Sequence, residues 1–261
     1  MRRFSKLDHI KNGYISAERK HMNTAVTTHW HDFYEIEYIV SGSGSYFIDG
    51  TEYPIEEGLL FFMTPTNFHS VEMKNTELFN IMFSENICSF DLLCNLTAKA
   101  PLILKTDKAS HEYFSVLMNE LSKNHKNLEF AATLLNAIIA KLSFYSTPKG
   151  NAESITPIRK LELYMLNNFR STLTLEDAAK HINLSPSYIS QLFKKENGKN
   201  FKAYLNEMRF EYAKKLLLFS DMTVMQICSE CGFEDYPNFI RRFKQYTGFY
   251  PLEYRKSSRN V

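Results

Sequence analysis

Long apolar runs are absent from this sequence, which excludes an ordinary membrane-spanning helix. No stretch approaches the roughly 18 consecutive apolar residues that such a helix requires. The opening residues, Met1–Phe4, are followed by charged residues instead of the apolar run of a secretory signal. The sequence therefore predicts a cytoplasmic protein with no membrane partner.

Cysteine is scarce, with four in 261 residues, which fits a reducing compartment. Cys228 and Cys231 form a C-x-x-C pair, a spacing that occurs in zinc and redox sites. No second ligand pair lies nearby, and both fall on the apolar stripe of a short predicted helix. We expect this pair to pack in a core, and Cys88 and Cys94 show no metal-ligand spacing.

A strong charge imbalance is also missing, because the whole chain carries a formal charge of only +2. Residues 1–150 hold 14 Lys and Arg against 17 Asp and Glu, whereas residues 151–261 hold 17 against 12. The stretch Thr147–Ser154 is polar, contains Pro and Gly, and reads as a linker. We predict two domains, at residues 1–150 and 155–257, with the positive excess on the second.

A repeat near the C-terminus is the most informative pattern present. Leu192–Gly198 recurs as Arg242–Gly248 fifty residues later, and the match extends backwards with one residue of slack. Tyr204 and Tyr254 close the two copies at the same interval. Two copies indicate a pair of modules and not a solenoid.

Each copy has the signals of a helix-turn-helix motif. Thr174 can cap a short helix, and Ser185 with Pro186 can start a second one that runs to Asn197. The same plan repeats from Thr223, so we place the motifs at about residues 174–197 and 223–247. The second helix of such a motif can enter the DNA major groove.

One long helix, Phe201–Phe219, is predicted between the copies. Its roughly 19 residues would span nearly 30 Å, at about 1.5 Å per residue. One helical turn of DNA is about 34 Å, so this helix can place two recognition helices in successive major grooves.

At this point the residues resemble a known family. The tract from about Ile158 to Lys256 is similar to the DNA-binding domain of the AraC/XylS family of transcriptional regulators. The most specific matching residues are Ile227–Phe233, Asn238–Lys244, Gly248, Pro251 and Tyr254–Arg255. Cys228 stands where the family usually has alanine, but both residues are small and bury easily.

The resemblance implies that the two recognition helices read bases through five side chains. These are Ser187, Ser190 and Gln191 on the first helix, and Asn238 and Arg241 on the second. Arg suits guanine and Gln or Asn suits adenine in the major groove. Lys194, Lys195 and Lys244 are expected at phosphates, and Tyr188 and Tyr236 share the same outward faces. The alternative is that these residues form ordinary solvated helix faces.

The N-terminal half has strand character, with short aromatic or β-branched runs separated by turn residues. The predicted strands are Glu35–Val40, Ser45–Ile48, Thr51–Ile55, Leu59–Met63, Phe68–Met73 and Glu77–Phe83. We assign Ser41–Gly44 to a loop and Asp49-Gly50 to a hairpin turn. The spacing suits a small barrel or jelly roll at about residues 20–100.

A histidine pattern inside this region resembles the cupin motifs. His29, His31 and Glu35 have the spacing of the first motif, and His69 falls in a looser second motif with Asn67 where glycine is usual. We predict a ligand site at these four residues together with Tyr38. The same four residues can hold a divalent metal such as Zn, Fe, Mn or Ni, or can simply brace the strands. No other cofactor is expected.

Two amphipathic helices are predicted after the barrel, at Ser110–Lys123 and Leu128–Tyr145, within about residues 108–146. Either they cover the barrel or they form a dimer contact, and the family resemblance favours the dimer. That resemblance also implies that an N-terminal arm, about residues 1–25, folds over bound ligand.

We therefore expect an α+β protein with two domains: a cupin-type jelly-roll barrel with two following helices, then an all-α double helix-turn-helix domain. The predicted function is sequence-specific regulation of transcription, by analogy activation, under control of a small effector such as a sugar. The expected partners are double-stranded promoter DNA, the effector, a second copy of the chain and RNA polymerase. We expect no catalytic residues. The alternatives are a metal-dependent cupin enzyme fused to a DNA-binding domain, and a ligand-independent architectural DNA binder.

Overall fold

The computed structural model describes residues 2–10, 13–146 and 155–259 of the chain. The chain divides into two compact units, Arg2–Ile155 and Thr156–Val261. The predicted linker, Thr147–Ser154, lies outside the described residues, and its role stays a prediction. The predicted fold class is confirmed, because the first unit is rich in β-strand and the second is helical.

The first unit is built on one mixed sheet of eight strands. Its strands are β1 (Arg2–Phe4), β2 (Ile15–Met22), β3 (Ala25–His31), β4 (Tyr34–Ile48), β5 (Thr51–Ile55), β6 (Leu59–Met63), β7 (His69–Phe83) and β8 (Leu102–Lys105). The predicted bounds of β5 and β6 are confirmed, whereas β2 and β8 were not predicted. β2 lies within the expected N-terminal arm, yet it pairs along its length with β7.

The two long strands, β4 and β7, organise this sheet because each changes neighbours halfway along. The first half of β4 pairs with β6 and its second half with β5, while β7 pairs with β3 and then with β2. The two long strands also pair with each other along their length. This arrangement curves the sheet around a core of Ile39, Tyr46, Ile48, Phe61 and Met63.

The prediction of a loop at Ser41–Gly44 is wrong, because these residues lie inside β4, where the strand bends. The register with β7 shifts between Ile39 and Ser41 and again between Ser41 and Ser43. Gly44 has a φ of 142°, and a Cβ there would collide with the Glu72 carbonyl oxygen of β7. Glycine here permits close approach of two strands and does not end one. The strands predicted at 68–73 and 77–83 are likewise parts of the single strand β7.

Four helices complete the first unit: α1 (Lys6–His9), α2 (Phe90–Thr97), α3 (Lys108–Asn124) and α4 (Leu128–Ser146). α3 packs on the sheet, since Phe114 contacts the ring of Tyr38 at a centroid distance of 5.9 Å. α4 buries Leu135, Ile138 and Leu142 completely. In a single chain α3 therefore covers the sheet, which was one of the two roles expected for these helices. The other role, a dimer contact, stays a prediction.

The second unit is entirely helical in its described residues. Its helices are α5 (Pro157–Asn168), α6 (Leu175–His181), α7 (Pro186–Asn197), α8 (Phe201–Phe219), α9 (Val224–Glu230), α10 (Tyr236–Thr247) and α11 (Pro251–Arg259). The predicted bounds of α7 and α8 are confirmed. The C-x-x-C residues Cys228 and Cys231 are free and buried, as expected for core residues.

Local capping explains why these helices begin and end where they do. The side chains of Thr174, Ser185 and Thr223 each accept a hydrogen bond from a backbone N–H of the first helical turn. Gly198 ends α7 in the left-handed conformation, with a φ of 67°. The apolar side chain of Leu192, in the same helix, is only half-buried.

Candidate functional sites

The outward face of α7 presents every residue that the sequence assigns to DNA on this helix. Ile189 and Phe193 are fully buried and anchor the opposite face. The exposed residues are Ser187, Tyr188, Ser190, Gln191, Lys194 and Lys195. Buried anchors fix the helix in place while leaving hydrogen-bond donors and two positive charges in solvent.

The outward face of α10 is more constrained by contacts within the protein. Arg241 and Lys244 are exposed, whereas Tyr236 and Asn238 are half-buried. The Arg241 guanidinium donates to Oδ1 of Asn238 at 3.1 Å, and Nζ of Lys244 lies 4.0 Å from the ring centroid of Tyr250. These contacts orient two cationic side chains in the absence of DNA.

The two turns have the same hydrogen-bond pattern. Leu184 N–H donates to the carbonyl of Ala179, and Phe233 N–H donates to the carbonyl of Cys228, both at 3.0 Å. Asn183 and Gly232 take positive φ values of 57° and 76° at matching points. The equivalent backbone geometry supports the reading of the sequence repeat as two copies of one motif.

A cluster of buried polar side chains lies in the first unit where β3, β4 and β7 meet. His29 and His31 come from β3, Glu35 from β4 and His69 from β7, and all four are at most 7% exposed. The pairing of β3 with β7 sets His29 opposite His69. The sheet thus joins residues that are forty positions apart in sequence.

Three of these four predicted residues lie close enough together to bind a single metal ion. Nε2 of His31 lies 3.0 Å from Oε2 of Glu35, and Nε2 of His69 lies 3.3 Å from the same oxygen. One ligand atom from each residue lies within 4.8 Å of the others. No other such group occurs among residues 2–10, 13–146 and 155–259. We call His31, Glu35 and His69 the histidine cluster.

His29 lies beside the histidine cluster. Its Nδ1 faces the carbonyl of Thr27 at 3.0 Å, and its ring centroid is 4.1 Å from that of His69. Burial and the nearby His69 lower the pKa of His29 to about 3, so the ring is neutral near pH 7.

Tyr38, which was predicted with this set, points elsewhere. Its hydroxyl lies 2.6 Å from Nδ1 of His111 on α3 and 3.2 Å from Oγ1 of Thr106. Tyr38 and Glu35 are an odd number of residues apart, so the pleat of β4 puts them on opposite faces.

Two residues that the sequence did not single out adjoin the cluster. The Asn80 amide donates to Oε1 of Glu35 and to Oε1 of Glu37, each at 2.7 Å. Glu37 shares the parity of Glu35, which was a usable signal. Asn80 offered none, because only the pairing of β4 with β7 sets it opposite Glu37.

The two glutamates have opposite pKa shifts. Burial raises the pKa of Glu35, but hydrogen bonds from His31 and His69 outweigh it and hold the value well below the ordinary range. Burial, and then the charge of Glu35, raise the pKa of Glu37 to about 7. Oε2 of Glu37 and Nδ1 of His69 are buried without a hydrogen-bond partner in the described part of the chain. Such atoms are places where a bound molecule could hydrogen bond.

The start of the chain covers this end of the sheet. β1 pairs in parallel with β3, with Phe4 opposite His31. The ring of Phe4 lies 4.5 Å from that of His29, and Arg3 forms an ion pair with Asp32 at 3.1 Å. Residues of the expected N-terminal arm thus lie against a histidine of the site.

The sequence matches two protein-family models. Residues 178–257 match a helix-turn-helix domain, and residues 12–86 match the AraC-like ligand binding domain. Together these matches cover more than half of the chain. Among the described residues, no helix combines the length and apolar character needed to cross a membrane.

Similar curated proteins extend over most of the chain. YfiF of Bacillus subtilis, an uncharacterized HTH-type transcriptional regulator, is 26% identical, and the match covers 93% of this chain and 82% of that one. The transcriptional activator RhaS of Escherichia fergusonii is 24% identical, with 93% and 92% covered. RafR of Pediococcus pentosaceus, a raffinose operon regulatory protein, is 26% identical, with 87% and 86% covered.

All three relatives are described as regulators, which agrees with the expectation that this protein is not an enzyme. The family matches fall on the two units that carry the buried histidine cluster and the paired helix-turn-helix motifs. The chain belongs to the AraC/XylS family of DNA-binding transcriptional regulators, with an AraC-like ligand-binding domain followed by a helix-turn-helix domain.

Proposed function

We propose that this regulator binds promoter DNA through α7 and α10 under the control of a small effector held at the histidine cluster. The observation that carries the DNA part is the repeated arrangement of the two helices. Each is anchored by a pair of buried apolar side chains and turns a polar, cationic face outward. DNA phosphates attract such faces, and base edges can hydrogen bond to them.

The two helices read different bases in this proposal. Ser187, Ser190 and Gln191 contact one half-site, while Asn238 and Arg241 contact the other. Arg241 suits guanine, and Gln191 suits adenine. The lysines contact phosphates, and Tyr188 and Tyr236 lie against the backbone. Lys194, Lys195 and Lys244 form the phosphate set.

The proposed DNA-binding role also bears on the spacing of the two recognition helices and on the partners of the protein. α8 has 19 residues, so its length of nearly 30 Å approaches one DNA turn of about 34 Å. We propose that two copies of the chain bind adjacent sites in the cytoplasm and that RNA polymerase is the downstream partner. RhaS is described as an activator, which supports activation here.

The effector part rests on the polar atoms at the histidine cluster. Glu35 is ionised, His29 is neutral, and two buried atoms of Glu37 and His69 are unpartnered within the described residues. Hydroxyl groups of a sugar can donate to a carboxylate and to a neutral imidazole nitrogen. The raffinose operon regulator among the relatives supports a sugar or related metabolite.

A divalent metal is the second candidate for this site, and the geometry around His31 favours it. Nδ1 of His31 faces the Phe33 carbonyl at 2.8 Å, while Nε2 faces the Glu35 carboxylate, so both nitrogens face acceptors. If Nδ1–H donates to the Phe33 carbonyl, the lone pair of Nε2 faces the carboxylate, and a cation between Nε2 and Glu35 would bind both. Two ligand atoms about 2.1 Å from one metal at a right angle lie about 3 Å apart. A metal held by His31, Glu35 and His69 would cross-link three strands and bind an oxygen of the effector.

The DNA part is tested by selecting binding sites from a random-sequence library with the full chain. The proposal predicts a preferred sequence bound at least about 1,000-fold more tightly than random DNA. Affinity equal on all sequences would favour an architectural DNA binder instead.

The effector part is tested by thermal unfolding with a panel of mono- and oligosaccharides. A ligand selective for the native state must raise the melting temperature. We expect a response in the wild type, none in His69→Ala, and an unchanged response in Tyr38→Phe, whose side chain faces away. A response that survives His69→Ala would place the effector elsewhere.

Metal analysis of the purified chain separates the two candidates. A stoichiometric metal that is absent from His31→Ala and His69→Ala supports the metal site. Chelation should then weaken the effector response. A stoichiometric metal whose removal changes neither the sugar response nor DNA binding would favour the enzyme alternative.

A further inference from the structure

The loop that precedes the first helix-turn-helix motif touches the second motif directly, in addition to the connection through α8. The loop after α5, Phe169–Thr172, lies against the end of α9 and the turn that follows it, Glu230–Glu234. A Cβ at Gly232 would lie 2.7 Å from the Arg170 carbonyl oxygen and 2.9 Å from that of Phe169. Gly232 therefore permits an approach that no other residue allows without a shift. We call this the inter-module contact.

Polar groups hold the inter-module contact on both sides. The Arg170 guanidinium and the Glu230 carboxylate form an ion pair at 3.6 Å, and their side chains are only 20% and 16% exposed. The Thr172 hydroxyl donates to the Glu234 carboxylate at 3.4 Å. The loop thus makes side-chain contacts at both ends of the second turn.

Arg209 of α8 ties the loop to the long helix at the same place. Its Nε donates to the Phe169 carbonyl at 2.7 Å, and its Nη2 donates to the Ser171 carbonyl at 2.8 Å. Its guanidinium also lies 5.5 Å from the ring centroid of Phe233 in the second turn. The Arg209 side chain therefore links the connecting helix α8 to both the loop after α5 and the turn after α9.

The loop is connected to the first motif by packing, because α5 packs on α6. Tyr164 of α5 stacks on His181 at the end of α6, with ring centroids 4.2 Å apart. The turn after α9 leads directly into α10. A contact between this loop and this turn therefore restrains the position of α7 relative to α10.

The two copies of the repeat differ at the residues that make this contact. The N-caps Ser185 and Asp235 are fifty residues apart, but the turn residues Asn183 and Gly232 are only forty-nine apart. The second turn therefore has one more residue, which is Glu234, the partner of Thr172. The one-residue slack in the sequence repeat corresponds to a residue of the inter-module contact.

We propose that the inter-module contact, and not α8 alone, fixes the spacing and angle between the two recognition helices. It then determines which separation of half-sites the protein accepts. Arg209, Gly232 and the Arg170–Glu230 pair are positioning residues in this account and do not touch DNA. The inference rests on the proposed DNA-binding function and deepens it.

The test uses the full chain and the site selected by the wild type, with one base pair inserted between or removed from the two half-sites. We expect the wild type to lose at least roughly 10-fold in affinity on either altered site, since one half-site is then misplaced. The Arg209→Gln variant should bind original and altered sites within about 3-fold of one another, because its modules can adjust. Arg159→Ala, which removes an exposed arginine and its ion pair with Glu162 on α5, is the matched control and should behave as the wild type.

A second variant covers the case in which Arg209→Gln does not fold. Thr172→Ala/Glu234→Ala removes one exposed hydrogen bond and the Glu234 charge near Arg209, and it should relax the spacing preference to a smaller extent. If folded variants keep the full wild-type loss on altered sites, the inference is wrong and α8 alone sets the spacing. If the wild type selects no two-part site at all, the proposed mode of DNA binding fails instead.

Discussion

The two units place their functional polar groups in opposite environments. The first unit buries them: His31, Glu35 and His69 are each at most 6% exposed, and Asn80 supports them from a neighbouring strand. The second unit buries apolar anchors and leaves most of its candidate DNA-binding groups exposed, with only Tyr236 and Asn238 half-buried. Substitutions at the candidate site of the first unit should therefore change both binding and folding stability. In the second unit they should change binding alone, since exposed substitutions usually change stability by less than about 0.5 kcal/mol.

The largest expected effect is loss of stability when the carboxylate of the histidine cluster is removed. Glu35→Ala leaves His31, His69 and Asn80 without a shared acceptor in a buried site. We expect the first unit to lose about 3–5 kcal/mol of unfolding free energy, as when one partner of a buried ion pair is deleted. Chemical denaturation of the metal-free protein measures it. Glu56→Ala, an exposed partner of Lys105, is the control and should change little.

The next effect should fall on DNA binding without touching stability. Arg241→Ala removes an exposed side chain for which we propose a bidentate contact with a base, and such a contact is worth about 1–3 kcal/mol. We expect affinity for the selected site to fall accordingly and preference at one base pair to relax, with an unchanged melting temperature. Equal loss on every sequence would show that Arg241 contacts only phosphate.

A smaller effect is a pH dependence of stability that we expect in the first unit, where Glu37 is buried. The pKa of Glu37 is raised from 4.5 to about 7, so between these values the folded chain keeps a proton that the unfolded chain releases. The stability contributed by this proton is present below about pH 4.5 and is lost as the pH rises to 7. The melting temperature of Glu37→Gln minus that of the wild type should therefore increase as the pH rises from about 5 to 8.

The Glu37→Gln comparison is read from the difference between the two proteins, because titration of groups that do not interact with Glu37 then cancels. Each kcal/mol of difference in unfolding free energy corresponds to a shift of roughly 2–4 °C in melting temperature for a domain of about 150 residues. A constant difference across this pH range would show that Glu37 titrates normally.

The smallest effect is expected at a single phosphate contact. Lys195→Ala should weaken binding evenly across sequences and reduce the salt slope by about 1. Lys123, an exposed lysine of α3, supplies the control substitution. A salt slope equal to that of the wild type would remove Lys195 from the interface.

The helical unit could be predicted closely from sequence because its signals are local. Ser185, Pro186 and Gly198 set the ends of α7 within a few residues of where they lie. The N-cap of α10, Asp235, was missed, although its side chain accepts from the Asn238 N–H in the usual way. The sequence alone could not show that the second turn rests on the loop after α5, because these segments are sixty residues apart.

The first unit was less predictable because its structure depends on strand pairing. Gly42 and Gly44 look like loop residues in sequence, yet they are needed where β4 bends against β7. The histidine pattern identified three members of the cluster, but Asn80 and Phe4 reach it only through sheet pairing. Tyr38 was predicted with this set, but its hydroxyl faces His111 and Thr106, a contact with α3 and the segment before it that no sequence pattern indicates.

The central claim, that two exposed faces read two different half-sites, is tested most directly by repeating the DNA selection with Gln191→Ala and Arg241→Ala. The account predicts a wild-type site with two blocks about one helical turn, or roughly 10 base pairs, apart. Gln191→Ala should relax positions in one block only, and Arg241→Ala positions in the other only. A single block, or relaxation of the same positions by both variants, would contradict it.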